Sequence, residues 1–147
     1  MARVLVPLAA GCEELEAVTV IDLLRRAQID VVTAGLTPGA VKGSRGTVLL
    51  PDSTLDAALK QDYDMIVLPG GQPGAANLEQ DTRILALLKK MAAAGKFTAA
   101  ARALKVGNGT EAGMQMGSLA NERRLAAMQR AIDIAVALGD RFAVLLN

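Results

Sequence analysis

The chain alternates short apolar runs with amphipathic stretches from its first residues. Arg3–Leu8 ("RVLVPL") is an apolar run that ends in the small-residue turn "AAGC", the pattern of a buried strand. Glu13–Ala27 then reads as a helix, with acidic residues in its first turn and Arg25 and Arg26 in its last, matching the macrodipole at both ends. "IDVVTAGL" is a second strand, so the three elements form a βαβ unit whose strands run parallel. "AVKGS" and "GTVLLPD" flank Arg45–Gly46 as two short strands or a hairpin, and "STLDAAL" opens with capping residues as a short helix. "YDMIVLPGG" is a third core strand ending in a glycine pair. Asp81–Ala94 is amphipathic, with Ile84, Leu87, Leu88 and Met91 on one face.

From Lys96 two assignments compete. Lys96–Ala101 fits a fourth strand by its place in the alternation, whereas its alanine content fits a short helix capped by Thr98 and running to Leu104. "VGNGTEAGMQMGSLAN" is a glycine-punctuated loop. Asn121 caps a helix over Glu122–Leu138 that Gly139 ends, and "RFAVLLN" is a last strand. The pattern predicts one α/β domain over residues 1–147: a doubly wound, mostly parallel sheet with helices on both faces.

Composition removes several functions. The formal charge is +1, and the only aromatics are Tyr63, Phe97 and Phe142, which argues against a nucleic-acid surface. No stretch has the pattern of a signal peptide or a membrane span, and Cys12 is the one cysteine, so the expected location is cytoplasmic and no internal disulfide can form. There is no histidine, which excludes Ser-His and Cys-His dyads within the chain. No metal or cofactor is implied. Ser44 and Ser118 lie outside any G-x-S-x-G elbow, and "GNG" and "GGQPG" match no nucleotide fingerprint.

Three separated motifs, "VLVPLAAGCEELEAVTVIDLLRRAQIDVVTAGL", "VKGSRGTVLLPD" and "DMIVLPGGQPGAANL", resemble the ThiJ/PfpI superfamily in the right order over residues 1–100. That superfamily includes the parkinsonism-associated deglycase/chaperone proteins, glyoxalase III-like enzymes and PfpI-type intracellular peptidases. The resemblance implies a truncated flavodoxin-like fold and a homodimer. It also implies a site in which a first-helix glutamate, here Glu16, contacts a cysteine on a strand-to-helix elbow, with oxyanion donors after the "PGG" strand, here Gly70 and Gly71. The elbow of the family reads like "TAAICAAP"; here it reads "TAAARALK", with Arg102 where the cysteine belongs and Lys105 in place of the proline. Residues 101–139 resemble a segment of aldehyde dehydrogenases that carries none of their catalytic residues, so the chain reads as a fusion.

Each candidate has two readings. Glu16 is a polarising acid or base in a cleft, partly buried and able to donate a hydrogen bond, or an ordinary helix-face glutamate. Cys12 is a thiol activated by a helix N-terminus, opposed by Glu13 and Glu14, or a small apolar filler. Gly70, Gly71 and Gly74 bind substrate or only shape a turn. Arg102 and Lys105 attract an anion or are solvated charges. Two functions follow: a weak hydrolase of small esters or amides, using Glu16 with Cys12 or water, or a non-catalytic dimeric binding or chaperone-like module.

Overall fold

The computed structural model describes residues 2–100. The expected loop, helix and strand beyond residue 100 lie outside the described residues, as do Arg102, Lys105 and Ser118. The elements run β1 (Arg3–Leu8), α1 (Glu14–Arg26), β2 (Asp30–Gly35), β3 (Val41–Lys42), β4 (Val48–Leu49), β5 (Ser53–Thr54), α2 (Leu55–Ala58), β6 (Met65–Leu68), α3 (Gly74–Gln80), α4 (Thr82–Ala93) and β7 (Phe97–Ala100).

Five strands form one parallel sheet in the order β5-β2-β1-β6-β7, and β3 and β4 form a separate antiparallel pair. The central strand β1 shows why both faces must be covered. Its Leu5 packs with Leu55, Leu78, Ile84, Leu87 and Met91 from α2, α3 and α4. Its Val4, Val6 and Leu8 pack on the other face with Ala17 of α1 and Val41 of β3. This period-two alternation in an all-apolar strand is what a doubly wound sheet requires. Each fully buried Leu or Val contributes about 1.5–3 kcal/mol relative to exposure.

The competition at Lys96 resolves in favour of a strand through Ala100. β7 pairs with β6 from Met65↔Phe97 to Leu68↔Ala100, so a ready ladder outweighs the helix propensity of alanine. Helix α3 was not foreseen. Its sequence "GAANLEQ" has one large apolar residue, Leu78, which is buried, so no amphipathic repeat marks it. Thr54 caps α2 as expected, accepting from the Ala57 N–H at 3.3 Å, and the same residue also pairs with β2.

Helix α1 ends against its own chemistry. Gln28 adopts φ +60°, with its N–H donating to the Arg25 carbonyl at 2.9 Å and that of Ile29 to the Leu24 carbonyl at 3.1 Å. This left-handed position after a helix suits glycine, and a Cβ there is strained. Replacing Gln28 by glycine should therefore stabilise the protein by about 0.5–1 kcal/mol, read as a higher urea midpoint. A lower midpoint would show that the Gln28 side chain contributes more than the strain costs.

Candidate functional site

In an open parallel sheet, ligands bind beyond the strand C-termini where the winding reverses. Here β2 lies on one side of β1 and β6 on the other, so that point falls between the turns after β1 and β6. The first turn holds Ala9–Glu13 and the second Pro69–Pro73. The two are locked by backbone. The Glu13 N–H donates to the Gly70 carbonyl at 2.8 Å, and the Gly74 N–H to the Gly11 carbonyl at 3.2 Å. Gly71, at φ +94°, has no room for a side chain: a Cβ there would lie 2.4 Å from the Glu13 nitrogen. A Cβ on Gly74 would lie 2.4 Å from the Cys12 nitrogen and 2.5 Å from its Cα. Their role is thus close backbone approach as well as turn geometry.

The start of α1 sends its three carboxylates in two directions, Glu16 to the glycine turn and Glu13 and Glu14 to the hairpin tip. Glu16 is exposed, and its Oε2 accepts the Gly70 N–H at 2.7 Å. The expected role of Glu16 is to donate to a thiolate from a partly buried position; in the structure it accepts instead, from the glycine turn, and is exposed. It also takes up the Gly70 donor that the oxyanion reading needed. Glu13 occupies the N-cap without a side-chain capping bond, because its carboxylate accepts from the Ser44 hydroxyl at 3.1 Å. Glu14 is buried, and accepts from the Arg45 N–H at 2.7 Å, the Thr47 N–H at 3.2 Å and the Ser44 hydroxyl at 3.0 Å.

Burial raises the Glu14 pKa, but its own backbone N–H, those of Arg45 and Thr47, and the Ser44 hydroxyl together hold it below the ordinary carboxylate range. The sequence reading missed this residue as a structural group. The one signal was "EE" opening a helix beside a glycine-flanked "KGSRG" turn rich in free amides.

Cys12 is 0% exposed and packs with Val4, Val6, Leu8, Ala17 and Val41. Burial pushes its thiol up, and Glu14 and Glu13 push the same way against a smaller opposing backbone contribution. The lowering expected from the helix terminus therefore loses. Cys12 and Glu16 are neighbours along the chain, yet the carboxylate of Glu16 bonds to Gly70, not to the thiol. Ser44 acts as a bridge between carboxylates. Among the described residues no three of His, Cys, Asp and Glu gather to hold a metal, and no helix is long and apolar enough to cross a membrane.

The sequence model of the DJ-1/PfpI family matches residues 2–109, running past the junction expected at residue 100 into the segment read as aldehyde-dehydrogenase-like. Protein DJ-1 homolog B of Arabidopsis thaliana is 45% identical over 95 residues, 64% of this chain and 22% of that protein. The Parkinson disease protein 7 homolog of Danio rerio is 46% identical over 89 residues, 59% of this chain and 47% of that protein. The solved structure of oxidized DJ-1 from Toxoplasma gondii superposes with a TM-score of 0.66 at 42% identity, covering 68% of this chain and 55% of that one. The match thus spans about half or less of these curated relatives.

Two outcomes follow from the geometry. Gly74→Ala forces a Cβ onto backbone that cannot rotate away, so it should destabilise by at least the ~1–3 kcal/mol of ordinary overpacking, measured by urea unfolding. For Glu14 the folded pKa is depressed, so its ionised form stabilises the fold above the unfolded value of ~4.3, and this contribution is lost as pH falls through the folded value. The urea-midpoint gap between wild type and Glu14→Gln should accordingly be flat above about pH 5 and close below it. A gap that persisted unchanged into acid would contradict this linkage.

Proposed function

The chain belongs to the DJ-1/PfpI family, and from that premise we propose that it keeps the family scaffold, has lost the thiol chemistry and works as a dimeric binding or chaperone-like module. The observation that carries this reading is the state of Cys12. It is the one cysteine in the sequence, it is fully buried, and its thiol is pushed toward the protonated form. The resemblance places Arg102 where the elbow cysteine would stand. A nucleophilic thiolate therefore has no evident source in this chain.

The dimer is supported by apolar surface. Leu15 and Val18 of α1 are 75% and 46% exposed, and Val48 and Leu50 beside the hairpin are 64% and 80% exposed. Isolated exposed apolar residues are ordinary, but several on neighbouring elements suit a subunit contact. The cytoplasmic location belongs to the same proposal, as does a single domain over residues 1–147; the family match through residue 109 moves the start of any fused segment beyond the junction expected at residue 100.

A second reading, weak hydrolysis of small esters or amides, draws on the exposed Glu16 carboxylate beside Gly70 and Gly71. Glu16 would take a proton from water as it attacks the carbonyl. With the Gly70 N–H donated to Glu16, Gly71 would serve the developing oxyanion. Arg102 would attract an anionic substrate.

Hydrolysis of p-nitrophenyl acetate by wild type, Glu16→Gln and Cys12→Ser separates these readings. The module reading expects background rates in all three. A wild-type rate above background that falls at least about tenfold in Glu16→Gln and is unchanged in Cys12→Ser would favour the second. A rate lost in Cys12→Ser would overturn the module reading and make Cys12, in place of water, the nucleophile of the hydrolase. Sedimentation equilibrium should show a dimer that Leu15→Arg with Val48→Arg converts to monomer; a monomeric wild type would end the dimer proposal.

A further inference from the structure

Helix α3 is too small to hold its own place. Its seven residues bury one large side chain, Leu78, and a helix this short gains little from its own hydrogen bonds. Its start is fixed at the turn after β1, where the Gly74 N–H donates to the Gly11 carbonyl and Asn77 Nδ2 to the Ala10 carbonyl at 3.0 Å. Its end passes into α4 through a single residue, Asp81, the C-cap of one helix and the N-cap of the other, with extended backbone at φ −76° and ψ 112°. One pair of dihedrals therefore sets the angle between the two helices. Arg83 closes on that residue. Its Nε donates to Asp81 Oδ1 at 3.1 Å and its Nη2 to Asp81 Oδ2 at 2.7 Å. The same guanidinium reaches Asp56 Oδ1 of α2 through Nη1 at 2.8 Å, and the Leu36 carbonyl through Nη2 at 2.9 Å. Leu36 in turn donates its N–H to the Leu8 carbonyl at 3.2 Å.

These bonds close a ring. It runs from Leu8 at the end of β1 through Leu36, Arg83 and Asp81, back along α3 to Gly74, and across to Gly11 in the turn that follows Leu8. We propose that Arg83 is a positioning residue for the glycine turn after β6: it fixes the junction at Asp81, and so holds α3 and the amides of Gly70–Gly74 in place against the turn after β1. Helix α4 does not need Arg83 for its own attachment, because Ile84, Leu87 and Met91 are buried in the core. What the guanidinium adds is the orientation of α3. The Arg83 and Asp81 side chains are 33% and 13% exposed, so water screens this pair less than an open surface pair. Asp56, at 73% exposed, contributes less. A lysine cannot take over the role. The guanidinium is a planar fork that meets two carboxylates and a carbonyl at once, whereas an ammonium is a point donor on a flexible stem.

The test is native-state hydrogen exchange, read amide by amide at zero and sub-denaturing urea, on wild type, Arg83→Met and Arg83→Lys. In Arg83→Met the amides of Gly70, Gly74 and Ala75 should exchange at least about tenfold faster, through an opening insensitive to low urea, the mark of a local event. The amides of Leu5 and Val6 in the central strand should still exchange only through global unfolding. Arg83→Lys should fail to restore the wild-type rates, and it carries the test alone if Arg83→Met does not fold. Leu87→Ala, on the same helix but outside the ring, removes core packing and lowers global stability. It should leave the urea-insensitive exchange of the three reporter amides unchanged. Wild-type local rates in Arg83→Met or Arg83→Lys, or an acceleration that only tracks global unfolding, would overturn the proposal. Neither the ring nor the reporter amides include the exposed apolar residues assigned to the subunit contact, and no substrate enters the measurement. Failure here therefore leaves the dimer and the functional reading untouched, and a monomeric wild type leaves this test standing.

Discussion

Backbone meeting backbone at the sheet's reversal point is the constraint on which this structure depends. The turns after β1 and β6 touch without intervening side chains, through the Glu13–Gly70 and Gly74–Gly11 hydrogen bonds. That contact fixes the lateral position of two neighbouring parallel strands and the starting directions of α1 and α3. It also sets where Glu16 can reach, since the N–H it accepts belongs to the residue whose carbonyl receives Glu13. Such an arrangement gains nothing from hydrophobic burial. It stands because the N–H groups of Glu13, Gly70 and Gly74 each find an acceptor across the crossing, and a buried unpaired amide there would cost about 1–3 kcal/mol.

Burial and nearby carboxylates together push the thiol toward its protonated form. A cysteine at a helix N-terminus is commonly activated by the positive end of the dipole. Here that end is already answered by Glu13, Glu14 and Glu16 within one turn, the first two drawn to the tip of the hairpin and the third to the glycine turn. The two carboxylates that join α1 to the hairpin, Glu14 and Glu13, thus also place negative charge beside Cys12. Joining the elements and activating the thiol are incompatible uses of one helix start.

The sequence made the long elements legible because their apolar spacing is set by burial. β1, α1, β2, β6 and α4 lie where period and capping residues place them. The short ones escaped for a physical reason. α3 buries a single large side chain, and β5 is two residues that also cap α2, so neither has a repeat to detect. At Phe97–Ala100 local propensity and tertiary pairing disagreed, and only the ladder with β6 decides. At the site, Glu16 and the glycine pair were readable from their motif. The burial of Cys12 and the anchoring of the hairpin by Glu14 depend on residues about 30 positions apart in sequence, which no local pattern encodes.

The bare crossing of Gly71 and Gly74 also shapes what this scaffold can become. Neither position can sample a new functional group, since any substituent would displace main chain. New reactive groups would have to come from the rim, on exposed side chains such as Gln72, while the floor stays fixed. A floor of bare backbone thus leaves the choice of reactive group to the exposed side chains around it.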